Sequence, residues 1–262
     1  MTEIITKDSL INSLTRIREL GWVKNARPGN AGGVGNTLED LLGISENNLP
    51  IPNAAEWELK AHRKNTTSLT TLFHMEPSPR ALRFVPNILL PFYGWHHQLA
   101  GTRYGSAEKS FRQTICGSTY SDRGFTVRAD VEKRQIYISF DSQKITDRHS
   151  EWKDNLEKTI GLGELEPRPY WGFDDIGHKA GTKLINTFFV LADNQFVDKI
   201  EYFHYNKLIL LSSFSTERFV DAIVQGKIYI DFDARTGHNH GTKFRLPSIF
   251  LPDLYAKVDV IF

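Results

Sequence analysis

The amino-acid sequence predicts an α/β or α+β fold, with a mixed central sheet and flanking helices. Apolar residues recur at helical spacing in residues 9–20 and 216–225, near the two ends of the chain. Strands are predicted between them, at residues 135–140, 184–191 and 202–211, and again at 228–232. The chain has 262 residues and is 40% hydrophobic, so it has enough apolar material to bury a large core.

The first 43 residues predict two helices separated by a glycine-rich segment. Asp8 or Ser9 is placed to cap the first helix, and Gly21 is placed to end it. Residues 27–35 contain four glycines and predict a flexible connection. The sequence Thr37-Leu38-Glu39-Asp40 has the form of a capping box, so it predicts the start of a short helix that Gly43 ends.

Charge and cysteine content exclude several classes of protein. The 32 basic and 31 acidic residues give a formal net charge of +1, which does not suit a uniformly basic nucleic-acid binder. A DNA enzyme with this balance must concentrate its positive charge locally. Cys116 is the single cysteine, so intrachain disulfides and cysteine-rich zinc sites are excluded. With charges throughout residues 1–20 and only short apolar runs, we expect no signal peptide, no membrane span and a cytoplasmic protein.

The first candidate site is a Glu-x-Lys pattern at Glu58 and Lys60. In an extended segment the side-chain period is two, so these residues share one face, while Trp57 and Leu59 point into a core. A carboxylate can hold a divalent cation, and a neighbouring lysine can orient or activate water near a phosphate. Magnesium prefers such oxygen ligands. A surface salt bridge is the alternative interpretation of the same pattern.

Neighbouring residues strengthen the interpretation as a cleavage site. Glu39, on the short helix, can supply a second carboxylate, although a solvated helix-surface charge is the alternative. Residues 66–74 predict a strand that pairs with the Glu-x-Lys strand as an antiparallel hairpin. The sequence also predicts a local basic cluster beside the site, or otherwise a solvated turn, and its members are Lys60, His62, Arg63 and Lys64.

A second candidate site is a basic segment near the C-terminus, after the strand at 228–232. Gly237 and Gly241 let the backbone turn tightly there or approach a ligand closely. Arginine and lysine donate to guanine edges, and histidine joins such contacts or binds phosphate. We therefore expect this segment to bind DNA; a solvated loop and a zinc site at the histidine pair are the alternatives. Its basic residues are Arg235, His238, His240, Lys243 and Arg245.

These motifs together resemble the MvaI/BcnI-type restriction endonucleases, which are relatives of the mismatch-repair nicking enzyme MutH. The resemblance lies in residues 35–39, in Pro52-Asn53, in Glu58-Leu59-Lys60 and in residues 71–74, which end at His74. Residues 237–245 are similar to a C-terminal segment of the same family. The resemblance covers about the first third and the last tenth of the chain.

The resemblance implies a type II enzyme that cuts double-stranded DNA at a short specific target with Mg²⁺. It implies a monomer that nicks the two strands in succession, leaves a 5′-phosphate and a 3′-hydroxyl, and works in a prokaryotic host with a cognate DNA methyltransferase. It also implies one endonuclease domain with two lobes around a DNA cleft. The catalytic lobe comprises about 1–92 and part of 180–215, and the recognition lobe about 93–179 and 216–262. We expect Arg63 and His74 to join the C-terminal residues in binding DNA.

The sequence departs from the family pattern at Asn53, where the family has an aspartate before Glu-x-Lys. Glu39, Asp40 or Glu56 supplies the second carboxylate in one account. In a second account the chain is an engineered, inactivated variant, and in a third it has lost cleavage and kept DNA binding. The resemblance implies Asn53 and Glu58 as metal ligands, and Glu39, Asn53, Glu58 and Lys60 as catalytic residues. A hydrolase of another class is disfavoured, because the sequence contains no Gly-x-Ser-x-Gly or His-Glu-x-x-His pattern.

Overall fold

The structure, a computed structural model, describes residues 6–30, 32–44 and 57–262. The α-helices are α1 (Lys7–Glu19), α2 (Gly33–Leu42), α3 (Leu90–Tyr93), α4 (Ser150–Thr159), α5 (Phe173–Leu184) and α6 (Thr216–Val224). The strands are β1 (Val23–Lys24), β2 (Trp57–Arg63), β3 (Leu69–His74), β4 (Trp95–His96), β5 (Lys109–Cys116), β6 (Arg123–Asp130), β7 (Gln135–Ile145), β8 (Tyr170–Gly172), β9 (Asn186–Val197), β10 (Ile200–Phe214), β11 (Tyr229–Arg235), β12 (His238–Asn239), β13 (Lys243–Pro247) and β14 (Tyr255–Val260). Short 3₁₀ or π turns lie at Arg80–Leu82, Val85–Leu89, Asp147–His149 and Ser248–Leu254.

The chain divides into two compact units. Unit 1 takes its described residues from Met1–Ser68, Gly181–Phe214 and Leu251–Phe262. Unit 2 comprises Leu69–Ala180 and Ser215–Phe250. The expected catalytic lobe included residues 69–92, which belong to unit 2, and the expected recognition lobe included residues 251–262, which belong to unit 1. The compact units therefore divide the chain differently from the expected lobes at these two places.

Unit 1 is built on a mixed sheet in the strand order β1-β10-β9-β2, with β14 also paired to β10. Strand β2 runs parallel to β9, whereas β10 is antiparallel to β1, β9 and β14. The expected mixed sheet is therefore confirmed. Strands β9 and β10 carry long runs of buried residues at 187–190 and 208–211, which predicts strands covered on both faces.

Helices α1 and α2 supply apolar side chains to the core of unit 1. Leu10, Leu14 and Ile17 of α1 and Val34 and Leu38 of α2 belong to one buried cluster with residues of β9 and β10. The spacing of three and four residues is the helical period that the sequence predicted.

The starts of these two helices differ from expectation. Thr6 caps α1 rather than Asp8 or Ser9, and it forms a reciprocal capping box with Ser9. In α2 the helix begins four residues before Thr37, so Thr37 is an interior residue and the expected capping box is wrong. Its buried hydroxyl instead accepts the Ala26 N–H at 3.0 Å. Gly43 ends α2 in the left-handed conformation, as predicted.

Unit 2 contains two antiparallel sheets. The larger has the order β3-β13-β11-β5-β4, with β12 paired to β11, and the smaller has the order β6-β7-β8. Strand β3 pairs with β13, with Phe73 opposite Phe244. The expected hairpin between the Glu-x-Lys strand and residues 66–74 is therefore wrong, because β2 pairs with β9 instead. In the described part of the chain, no helix is long and apolar enough to cross a membrane.

Candidate active site and DNA-binding segment

Strand β2 has two chemically different faces. Trp57, Leu59 and Ala61 pack against the core cluster of unit 1. The ring of Trp57 lies 4.8 Å from that of Phe188 on the neighbouring strand β9. Because side chains alternate along a strand, Glu58 and Lys60 share the opposite face, as the sequence predicted.

Glu58 and Lys60 form an ion pair on this face. Lys60 Nζ lies 3.4 Å from Glu58 Oε1. The lysine side chain is 12% exposed and the glutamate side chain is 41% exposed, so the ammonium is nearly enclosed while the carboxylate reaches solvent. The more accessible of the two groups is the Glu58 carboxylate, whose oxygen atoms can bind a cation. The arrangement can hold an exchangeable cation at Glu58 and a fixed positive charge beside it.

Tyr255 and Thr187 lie beside Glu58. Thr187 stands opposite Glu58 in the β2–β9 register, and its hydroxyl is 2.8 Å from the hydroxyl of Tyr255. Burial raises the pKa of Tyr255, and the charge of Glu58 raises it further. The tyrosine therefore stays protonated near the carboxylate. No local sequence pattern indicates Tyr255, because only the pairing of β14 with β10 brings it to this place.

His62 follows Lys60 on the same face of β2. Its ring lies 5.8 Å from that of Phe189 on β9. Burial lowers the pKa of His62 to about 4, and the charge of Lys60 contributes to the same shift. His62 is therefore neutral at neutral pH and adds no positive charge to the site.

Arg63 lies next along β2 and makes a two-pronged ion pair with Glu201 of β10. Its Nε and Nη2 atoms donate to the two carboxylate oxygens at 2.7 and 2.8 Å. Asn25 and Asn194 donate to the same carboxylate at 2.9 and 3.0 Å. The guanidinium also lies 5.1 Å from the ring centroid of Phe203. The pKa of Glu201 is lowered chiefly by the hydrogen bond from Arg63. These contacts favour a structural role, and DNA contact by Arg63 stays a prediction.

The expected basic cluster at residues 60–64 is therefore largely neutralised. Lys60 is paired with Glu58, Arg63 with Glu201, and Lys64 with Asp193 at 3.1 Å. With His62 neutral, the segment does not present four adjacent positive charges. The predicted basic cluster beside the site therefore carries less net positive charge than its sequence indicates, and its part in DNA binding stays a prediction.

Of the other residues considered for the cleavage site, Glu39 lies within the described part of the chain, whereas Asn53 and Glu56 do not. Glu39 lies on α2, whose apolar residues pack in the same cluster as Trp57 and Leu59. Asn53 and Glu56 lie outside the described residues. Within residues 6–30, 32–44 and 57–262, no three His, Cys, Asp or Glu side chains group as metal ligands. Catalytic or metal-binding roles for Glu39 and Asn53 stay predictions.

The C-terminal basic segment forms part of the larger sheet of unit 2. On one face, Arg245 of β13 bonds Asp231 of β11 at 3.1 Å, and its Nη2 donates to the Leu69 carbonyl at 3.1 Å. Lys243 lies 3.9 Å from Asp233, which also pairs with Arg112 of β5 at 2.6 Å. The face thus carries basic side chains held in place by two aspartates.

Arg235 is the last residue of β11, and its contacts differ from those of Lys243 and Arg245. It bonds Glu108 at 3.0 Å, and its guanidinium lies 4.5 Å from the ring centroid of Tyr104. The Glu108 side chain is 10% exposed and that of Arg235 is 34% exposed. Arg235 therefore has fewer free donors than its place in the motif suggested, and its contact with DNA stays a prediction.

The turn that follows β11 is organised by Glu76, a residue that no sequence motif indicated. Its carboxylate accepts the Thr242 N–H at 2.9 Å, the Thr242 hydroxyl at 3.2 Å and the Asn239 side-chain amide at 3.4 Å. Gly241 has a φ of +83°, a backbone conformation that favours glycine. Glu76 thereby fixes the turn that carries the histidines.

The histidines of this region are exposed. The rings of His238 and His240 meet edge to face, with centroids 4.2 Å apart. His74 stands opposite Lys243 in the β3–β13 register. In the described part of the chain neither His238 nor His240 belongs to a metal-ligand group, so nothing described supports zinc there. All three imidazoles are placed where a ligand in solvent can reach them.

Comparisons with known proteins agree on one family. The model of the MvaI/BcnI restriction endonuclease family matches residues 11–255. The fold is similar to that of restriction endonuclease MvaI in its complex with cognate DNA substrate, with a TM-score of 0.72, 23% identity, and coverage of 98% of this chain and 100% of that one. MvaI in the absence of DNA gives a TM-score of 0.58, 23% identity and full coverage of both chains. No curated protein sequence matches.

Proposed function

The chain belongs to the MvaI/BcnI restriction endonuclease family, and we propose that it cleaves double-stranded DNA at a short specific sequence, with Mg²⁺ bound at Glu58 and Lys60 acting beside it. The observation that carries this assignment is the ion pair on the outer face of β2. Lys60 is nearly enclosed, 3.4 Å from a carboxylate that reaches solvent. A purely structural surface pair would not require one partner to be enclosed while the other stays open.

Glu58 supplies the kind of donor that magnesium prefers, since its carboxylate oxygens are hard ligands. Asn53, which lies outside the described residues, would add an amide oxygen. A bound Mg²⁺ would offset charge on the scissile phosphate and lower the pKa of a coordinated water. The Glu58 carboxylate and the Asn53 amide thus fit the oxygen preference of Mg²⁺. They provide one negative charge, whereas two carboxylates would provide two.

Lys60 would orient the scissile phosphate and the attacking water. Its ammonium has three donors, and Glu58 uses one of them in this structure. Because the side chain is nearly enclosed, its charge is screened less than a surface charge would be. The hydroxyls of Tyr255 and Thr187 lie 2.8 Å apart, and both residues are buried beside Glu58. Neutral His62 leaves Lys60 as the single positive charge among these described residues of the β2 face.

The polar face of the larger sheet in unit 2 would contact DNA. Arg245 and Lys243 lie on one strand, and Asp231 and Asp233 hold them in fixed positions. Fixed donors lose little rotamer freedom on binding, so they suit the reading of base edges. The exposed His74, His238 and His240 would add contacts to bases or phosphates.

Five further properties follow from the family resemblance and are proposed with it. The enzyme acts as a monomer, cuts the two strands by successive nicks, and leaves 5′-phosphate ends. It functions in the cytoplasm of a prokaryote, together with a methyltransferase that protects the same DNA sequence.

A second function is favoured by one observation. Asn53 stands where the family pattern has an aspartate, so the site has one negative charge less than that pattern provides. A chain that binds its target and cleaves weakly or not at all would fit this change.

A digestion experiment tests the proposal and separates the two functions. Plasmid DNA is incubated with the purified protein in Mg²⁺ or in EDTA, and the product ends are sequenced. Discrete linear products that need Mg²⁺ and share one terminal sequence support cleavage. Specific binding without any cut at any Mg²⁺ concentration supports the second function, and the absence of both contradicts each of them.

A further inference from the structure

Unit 2 contains a cavity of about 530 Å³ that the proposed cleavage reaction does not use. It is lined on one side by Phe92, Trp95 and Lys109 and on another by one face of α4. The volume is within the range of about 300 to 1,000 Å³ typical of small-molecule sites. It is therefore large enough for a ring system with an attached anion.

Arg123 is the central cation of this cavity. Its guanidinium lies 3.7 Å from the ring centroid of Trp95 and 5.4 Å from that of Trp152. No carboxylate in the described part of the chain forms an ion pair with it, and burial lowers its pKa to about 10. A half-buried cation without an anion is costly unless a ligand supplies the negative charge.

Two buried donors in the lining lack an acceptor. Arg123 Nε and Trp152 Nε1 are both enclosed and have no hydrogen-bond partner among the described residues. The stacking of Trp95 on Arg123 accounts for the position of the guanidinium. It does not satisfy either N–H group, so two unpaired donors lie in the wall of the cavity.

The start of α4 adds positive potential to the same cavity. His149 occupies the N-cap position without a side-chain hydrogen bond to the helix, and the preceding Arg148 also lines the cavity. The first N–H groups of a helix favour anions. Arg148 pairs with Asp122, and Glu151 is a negatively charged member of the lining, so Lys109 and Arg123 are the lining cations that remain against one carboxylate.

Aromatic side chains supply the remaining chemistry. Phe92, which lines the cavity together with two tryptophans, is 50% exposed. Nucleobases stack on such rings, and phosphates bind to arginine beside them. An inorganic anion alone would use the cations and leave the exposed ring without a partner.

We propose that this cavity binds a nucleoside monophosphate unit, with the phosphate at Arg123 and the base against Phe92 and Trp152. The unit is either a free nucleotide or an unpaired nucleotide within DNA. Binding there needs neither Mg²⁺ nor Glu58, so its test is independent of the cleavage proposal.

The experiment measures binding to the full chain in EDTA by calorimetry and tryptophan fluorescence. The probes are deoxyadenosine monophosphate, deoxyadenosine and inorganic phosphate, each titrated separately. We expect the nucleotide to bind more tightly than either of its parts. Arg123→Gln should weaken nucleotide binding by about tenfold or more, because a charge-assisted contact is lost.

Three further variants keep the result interpretable if Arg123→Gln does not fold. Trp152→Phe removes the indole donor and retains a ring, and Phe92→Ala removes an exposed ring; both should weaken binding. Arg128→Gln is the matched control, because Arg128 is an exposed residue of the same strand β6 and bonds Tyr120 outside the cavity lining. It should bind the nucleotide normally.

Competition separates the two sources of the ligand. Displacement of the nucleotide by a duplex with one unpaired adenine, but not by the fully paired duplex, assigns the cavity to DNA; no displacement by either assigns it to a free nucleotide. The inference is overturned if the nucleotide does not bind, if it binds no tighter than phosphate, or if the cavity variants and the control behave alike.

Discussion

Lys60 Nζ and Glu58 Oε1 lie 3.4 Å apart on the face of β2 opposite the side chains that enter the core of unit 1. The two residues are separated by one position in sequence, and the strand period alone puts them on one face. What the structure adds is their unequal exposure. The cation is enclosed and the anion is open, and this arrangement can receive a metal ion and a phosphate from the same side.

Asn53→Asp should raise Mg²⁺-dependent cleavage by a large factor. A carboxylate adds a full negative charge where the amide has none, and it offsets part of the dehydration cost of the ion. Asparagine and aspartate have the same shape, so DNA binding without metal should persist. Single-turnover cleavage by both forms across a Mg²⁺ titration measures the effect. If the aspartate form is no faster at any concentration, position 53 is not a metal ligand and Glu39 or Glu56 becomes the candidate.

Arg245→Ala or His240→Ala should weaken binding to the specific target or relax the recognised sequence. Loss of one base contact typically costs about 1 to 3 kcal/mol. Electrophoretic mobility shifts with the target and a scrambled duplex measure both effects. Lys133→Ala is the control, since Lys133 is an exposed lysine elsewhere in unit 2. Unchanged affinity and specificity in both variants would remove this sheet face from the DNA interface.

Arg63→Ala should lower the free energy of unfolding by about 3 kcal/mol, because it leaves Glu201 largely buried without its cation. Lys64→Ala removes a more exposed pair with Asp193 and should cost less than about 1 kcal/mol. Urea unfolding of both variants provides the comparison. Equal losses would mean that the Arg63 pair has no special structural role, and would favour the prediction that Arg63 contacts DNA.

The sequence could predict the placement of Glu58 and Lys60 but not that of Glu201. Glu58 and Lys60 follow from a period of two, which is a local property. Glu201 is 138 positions from Arg63, and no local pattern gives that distance. The hairpin predicted between β2 and β3 was wrong for the same reason. The two strands are close in sequence, but β2 pairs with β9 and β3 pairs with β13, and both partners are distant in sequence. Thr37 has a side chain that can cap a helix, but α2 begins about one turn earlier, at Gly33, so Thr37 lies inside the helix.

His62 should make stability depend on pH. Its pKa in the folded protein is about 4, below the value of about 6.5 for an unfolded chain. The unfolded state therefore binds more protons between these values, so stability is fully present above pH of about 6.5 and is lost as the pH falls toward about 4. The slope from this single group is at most about 1.4 kcal/mol per pH unit.

Urea unfolding across that pH range, on the wild type and two variants, measures the slope. His62→Gln should flatten it, whereas His178→Gln, a change at an exposed histidine of α5, should leave it as it is. An identical slope in all three proteins would show that His62 is not held neutral by the fold.

Single-turnover cleavage of a duplex carrying the mapped target, at saturating Mg²⁺, tests the central assignment most directly. Lys60→Ala and Glu58→Gln should each abolish cutting while specific binding and the free energy of unfolding stay close to wild type. Lys257→Ala, at an exposed lysine of the same unit, is the control and should cut normally. Normal cutting by either β2 variant would contradict the account, and would place the cleavage centre elsewhere in the chain.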